Sequence, residues 1–256
     1  MTAAPLKVWF DRGGRLLRLR LARPKANVLD AAMIGAIAAA LAQHRDRADV
    51  AAVLLDAEGP HFSFGASVEE HLPAKCAAML KEFHALLQAM LDFPAPILVA
   101  VRGQCLGGGL ELASAGSLIF AAPDAKFGQP EISLGVIAPA ASCLLPARIG
   151  PGAADDLLLS GRSIDAAEAD RLGLAAAVAN DPEAAALAWF ERNIAGKSAA
   201  AVRFANRAAR GALAETFGRR IGAVERLYLD GVMATRDALE GLNAFLEKRA
   251  ANWEHR

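Results

Sequence analysis

This chain of 256 residues has little cysteine and no excess of charge of either sign. Its three cysteines, Cys76, Cys105 and Cys143, are far apart and odd in number, with no CxxC pair among them. That argues against a disulfide framework or a structural zinc, and for a reducing compartment. Five histidines are scattered along the chain, so a metal has no evident ligand set. The 28 Lys and Arg balance the 28 Asp and Glu, and no global field draws nucleic acid or an anionic membrane, although a local basic patch stays open. No uncharged apolar run reaches the roughly 18 residues of a membrane helix. The opening MTAAPLKVWFDRGG also lacks a signal core. Together these absences predict a soluble cytoplasmic protein with no metal and no membrane partner.

What the chain does have is apolar substance: 54% hydrophobic residues, enough for one large α/β domain or a domain with a helical appendage. Lys7–Phe10 and Arg15–Leu21 flank Asp11-Arg12-Gly13-Gly14, a hairpin signal, and the partly alternating RLLRLRL suggests an edge-side strand. Asp30 is placed to cap a helix over residues 31–47. Val50–Asp56, Ile97–Val101 and Leu118–Ala121 read as short buried strands, with helices at 74–91 and from Leu110 between them. Strand and helix in alternation predict parallel βαβ connections. Beyond about residue 180 the pattern turns helical, with segments at 182–194, 199–210 and 213–249. Such a tail holds more apolar surface than it can bury on itself.

Three segments could carry chemistry. QCLGGGLE (Gln104–Glu111) sets three glycines between apolar runs, yet the spacing is neither GxGxxG nor GxxxxGK[ST]. Two readings fit it. Bare N–H groups at a helix start can hold an anionic oxygen, aided by the helix dipole, or the glycines merely allow a tight strand-to-helix turn. Pro60–Ser67, after the strand at 50–56, could supply a second backbone donor, or be only a connection. In KFGQPEI, Glu131 stands among apolar neighbours, as Glu111 does among Leu110, Leu112 and Ala113. Each glutamate alone also reads as an ordinary solvated side chain. Two of them beside two candidate oxyanion donors form the set that acid/base chemistry next to a carbonyl requires.

FSFGAS, QCLGGGLEL and AKFGQPEISLG, in this order and spacing, resemble the signature blocks of the crotonase (enoyl-CoA hydratase/isomerase) superfamily. LARPKANVLD is similar to its early acyl-CoA loop, and SGRSIDAAEADRLGLAAAV to its later helix-and-strand segment. The resemblance implies an α/β spiral of ββα units over residues 1–195 and a helical C-terminal region, 196–256, used for trimers or hexamers. It implies an acyl-CoA substrate, with coenzyme A as part of that substrate and no separate cofactor. Backbone N–H groups of Ala66 and Gly108 would hold the thioester oxygen, and Glu111 and Glu131 would be the acid/base pair. Lys25, Ala26, Phe64, Gly65, Ser67, Gly107, Pro130, Ile137 and Pro139 would bind the substrate. Ser67 stands where many members have Asp, and Ile137–Pro146 replaces the usual glycine-rich continuation.

FSFGASVEEHLP and GQPEISLGVIAPAASCLLP look most like the branch that takes cyclohexa-1,5-diene-1-carbonyl-CoA to 6-hydroxycyclohex-1-ene-1-carbonyl-CoA in anaerobic benzoyl-CoA breakdown. An ordinary enoyl-CoA hydratase, an isomerase or C–C lyase, and a non-catalytic acyl-CoA or RNA binder are the other readings. Two readings fit His61 and His71, which flank the first block: residues lining the site, or the more common surface loop positions; Cys105 and Cys143 read as small buried hydrophobes.

Overall fold

The structure, a computed structural model, describes residues 4–256; Met1–Ala3, with which the opening motif begins, lie outside the described residues. Strands β1 (Leu6–Asp11) and β2 (Leu16–Leu21) form the expected antiparallel hairpin, closed at Asp11 opposite Leu16. β2 then pairs in parallel with β3 (Ala52–Ala57), β3 with β4 (Ile97–Val101), β4 with β6 (Leu118–Ala121) and β6 with β9 (Ala177–Val178). The edge is therefore β1, and β2 lies inside the sheet; its alternating arginines are read correctly only once their partners across the sheet are known.

A second sheet joins β5 (Gln104–Leu106), β7 (Lys126–Gly128) and β8 (Ser163–Asp165). Two buried strands of the first sheet, β4 and β6, each lead into a short strand of this second layer and then into a helix. Thus β4 and β5 precede α3 (Gly108–Ala115), and β6 and β7 precede a 3-10 turn and α4 (Pro139–Ile149). This is the expected winding of ββα units. Helix α1 (Ala31–His44) starts at Asp30, whose side chain accepts from Met33 N–H as the capping signal predicts. With α2 (Cys76–Leu91) it covers one face of the large sheet through Met33, Ile37, Phe83 and Leu87.

Helices α5 (Pro151–Ser160) and α6 (Ala166–Arg171) continue the chain, and α7 (Pro182–Phe190) covers the other sheet face. The helical tail departs from expectation in its breaks. Helix α8 runs unbroken over Ala199–Arg226, through the interruption foreseen near Gly211, and the break falls instead at 227–235 before α9 (Arg236–Leu246). Anchors outside the helix explain this: Asn206 donates to the Phe93 and Pro94 carbonyls and Arg210 to that of Ala115, so tertiary contacts outweigh local propensity.

Candidate active site

Residues 63–66 run alongside 104–108. Ser63 N–H donates to Gln104 O and Leu106 N–H to Ser63 O, which brings the first and second signature segments into register. Gly107, which precedes α3, has φ 53° and ψ −128°, a region that side chains disfavour. A Cβ there would come within 2.6 Å of a Glu131 carboxyl oxygen, and one at Gly108 within 3.0 Å of Ala66 N. The run of glycines thus lets two chain segments and a carboxylate meet at van der Waals distance. Among the described residues, no protein acceptor takes the N–H of Ala66 or of Gly108. Two free donors lie close together at the positive end of α3.

The two glutamates reach the same cavity, of about 410 Å³, from different elements. Glu111 lies in the first turn of α3 and is buried; its Oε1 accepts from Ala141 N–H at 2.7 Å. Ala141 stands in the first turn of α4, where Pro139 begins the helix and leaves the following amides unbonded. The carboxylate therefore occupies a helix N-terminus. Glu131 comes from the 3-10 turn after β7. The amide of buried Gln129 lies against it, its nitrogen 2.9 and 3.1 Å from the two carboxyl oxygens when turned toward them.

Burial pushes the Glu111 carboxyl up to about 7, held back by the Ala141 and Ala140 N–H groups. Glu131 is pushed to about 8, by desolvation first and then by the charge of Glu111. Glu131 is only partly buried as a residue, and it is the enclosed carboxyl end that is desolvated. Neither carboxylate has a cation against it among the described residues. Near neutrality one ionised and one protonated carboxyl can coexist, which is what a combined base and acid needs.

Of the other residues expected at the site, Phe64, Gly65, Gly107, Pro130, Ile137 and Pro139 line the cavity with Ala66 and Gly108. Lys25, Ala26 and Ser67 do not. Lys25 is exposed on the loop before α1, Ala26 O accepts from Phe64 N–H, and Ser67 precedes a 3-10 turn. The structure adds Phe83, Val136, Phe245 and His71 to the lining, and Gln129 behind Glu131. His71 thus follows the site-lining reading rather than the surface one. None of these carried a local signal except Gln129, which adjoins the glutamate in sequence. Cys105 and Cys143 are buried, their thiols pushed up by desolvation, as small core residues should be.

A family model described as Enoyl-CoA hydratase/isomerase matches residues 11–256. The chain is 65% identical over 254 residues to the cyclohexa-1,5-dienecarbonyl-CoA hydratase of Thauera aromatica, covering 99% of this chain and 98% of that one. It is 36% identical to a probable enoyl-CoA hydratase of Mycobacterium bovis, over 97% of this chain and 98% of the relative. A solved enoyl-CoA hydratase/isomerase of Pseudoalteromonas atlantica superposes with a TM-score of 0.86 at 30% identity, covering 97% and 99% of the two chains.

Proposed function

The chain belongs to the enoyl-CoA hydratase/isomerase family, and on that premise we propose that it is a hydro-lyase that adds water to cyclohexa-1,5-diene-1-carbonyl-CoA, giving 6-hydroxycyclohex-1-ene-1-carbonyl-CoA. The observation that carries the hydration is the pairing of Glu111 and Glu131, unmatched by any cation among the described residues, in one cavity with the N–H groups of Ala66 and Gly108, which no described residue accepts. The cyclic substrate is supported by the likeness to the Thauera enzyme.

In this reading the thioester oxygen rests on the two N–H groups, which stabilise the negative charge that gathers there. Ionised Glu111 takes a proton from water as the water oxygen bonds to the β carbon. Electron density moves through the ring to the thioester oxygen. When the dienolate collapses, the far end of the diene takes the proton of Glu131. The carboxyls end with their protonation exchanged, and transfer through solvent resets them. Coenzyme A enters as part of the substrate, and the step needs no further cofactor. Lys25 and Ala26, on the loop before α1 and outside the acyl-cavity lining, would contact the coenzyme. The same proposal includes a cytoplasmic location and a division of roles between residues 1–195, which hold the site, and 196–256, which join subunits into trimers or hexamers. Exposed Phe204, Leu227 and Phe245 support that second role.

The test is an assay of both thioesters in water labelled with heavy oxygen. The expected result is label in the product and a higher kcat/KM for the cyclic dienoyl thioester than for crotonyl-CoA. Equal or better use of crotonyl-CoA would make the protein an ordinary enoyl-CoA hydratase instead.

A further inference from the structure

The Gly108 donor stands at one end of α3, and the other end of that helix is held by positive charge. The last carbonyls of a helix have no partner within it. Here those of Ser114, Ala115, Gly116 and Ser117, which close α3, accept from two arginine side chains. Arg148, in the last turn of α4, donates from Nε to Ser114 O at 3.0 Å, from Nη1 to Ser117 O at 3.4 Å and from Nη2 to Gly116 O. Arg210, in α8, donates from Nη2 to Ala115 O at 2.7 Å. Neither guanidinium has a carboxylate against it among the described residues, whereas Arg18 and Arg20 of the large sheet share Asp56. Burial, and then the charge of Arg210, lowers Arg148 to about 10, and burial lowers Arg210 to about 10. Both stay charged near neutrality, so the fold keeps two neighbouring cations out of water with only a helix end to receive them.

Helix α3 spans only Gly108–Ala115, a length of about 12 Å, and is too short to be stable alone. Its first turn carries the Gly108 N–H and Glu111, and α4 braces it there through the Ala141 N–H on Glu111. Helix α4 therefore meets α3 at both ends. A cation at the C-terminal end offsets the negative pole of the helix and leaves the positive pole at Gly108 less opposed. In a dry interior that influence crosses about 12 Å with little screening. We propose that Arg148 and Arg210 are positioning residues of the oxyanion site that act through α3. They fix the helix against α4 and α8, and they raise the positive potential at the Gly108 N–H, where the thioester oxygen gathers charge. The inference rests on the acyl-thioester reading above, and it holds whichever acyl group is bound. Arginines that only closed the helix would contribute stability and leave the reacting carbonyl untouched.

The test uses cyclohexanecarbonyl-CoA, a saturated thioester with no double bond to hydrate, whose carbonyl stretch falls in frequency as the carbonyl is polarised. Wild type, Arg148→Met, Arg210→Met and Arg210→Lys are compared by infrared difference spectra of this bound thioester. They are also compared by kcat and KM on the thioester that the wild type turns over, with Tm as a check on folding. The expected wild-type spectrum lies below the solution frequency, and either methionine variant loses part of that displacement. Its kcat should fall by about five- to ten-fold with KM within about two-fold, the pattern of an interaction that strengthens in the transition state. Arg210→Lys, which keeps the charge, should recover most of both. The full wild-type displacement in folded methionine variants, a loss confined to KM, or a lysine variant no better than methionine overturns the proposal. If Arg148→Met fails to fold, the two Arg210 variants decide by the same criteria. A wild type whose bound thioester absorbs at the solution frequency would overturn the oxyanion reading and this inference together. A displaced wild type with equally displaced methionine variants overturns this inference alone.

Discussion

Two regions of the molecule bury carboxylates, and they treat them in opposite ways. On the large sheet, Asp56 is buried between Arg20, which grips it through Nε and an Nη at 2.6 Å each, and Arg18 at 2.9 Å. Glu183 of α7 closes the group from the next layer, and the Trp9 ring lies under both guanidinium groups. In the acyl cavity, Glu111 and Glu131 have peptide N–H groups, an amide and each other, but no guanidinium. A carboxylate clasped by arginines serves as an ion-pair anchor between strands and layers. One that is desolvated and left without a cation takes up and releases a proton near neutrality. The contrast separates a device for holding layers together from a device for moving hydrogen.

The largest effect should come from making the cavity as inert as the sheet. Glu111→Gln and Glu131→Gln should each lower kcat by about 10² to 10⁴-fold while leaving thioester binding largely intact. Single-turnover kinetics with a binding measurement would show this, and a near-wild-type rate in either variant removes that residue from the mechanism. In the wild type the rate should follow a bell, climbing as the pair releases its first proton and declining as it releases its second, both limbs lying well above the ordinary carboxylate range because burial raises both groups. The stability signature has the opposite sense. Both carboxyls are raised above 4.5 in the folded protein, so the stabilisation they contribute is complete below that value and is lost as pH rises through the folded values. Glu131→Gln should therefore raise Tm at about pH 9 and change it little at about pH 4.

Next in size, Asp56→Ala should destabilise the fold by about 3 kcal/mol in denaturant unfolding, because it removes the buried partner that Arg18 and Arg20 share and leaves them only the more exposed Glu183 and, for Arg18, Asp11. Its kcat, measured well below the new midpoint, should stay within about two-fold. A large fall in kcat without unfolding would mean that the two regions are coupled. The smallest effect is expected at Tyr228, whose hydroxyl is buried without a hydrogen-bond partner. Tyr228→Phe keeps the ring against His71 and removes only the orphan oxygen, so stability should hold or improve by about 1 kcal/mol. A clear loss of stability would reveal a partner for the hydroxyl and make that corner resemble the paired sheet.

How much of this was legible beforehand varies with the range of the interaction. The strand ILVAV was readable to the residue, because five buried apolar residues in a row suit a strand covered on both faces. Asp30 was readable as a cap, since capping acts over three residues. The glycines of QCLGGGLE and the two glutamates stood out as residues whose type conflicts with an apolar setting. Ala141 could not be found this way. Its role lies in a backbone N–H, which every residue but proline has, and depends on where α4 begins. Nor could His71, for which a turn at the surface and a turn against a cavity look alike in sequence.

The amino-acid sequence by itself determined the alternation of strand and helix, the bare turn before Glu111 and the presence of two acids among apolar neighbours, since these follow from local conformational preference and periodicity. The tertiary structure alone decided that the two acids share one cavity, that a helix start restrains one of them while that one's charge raises the other, and that no arginine reaches either. Such effects depend on distance through a medium of low dielectric, and distance between segments far apart in the chain exists only once the layers have packed.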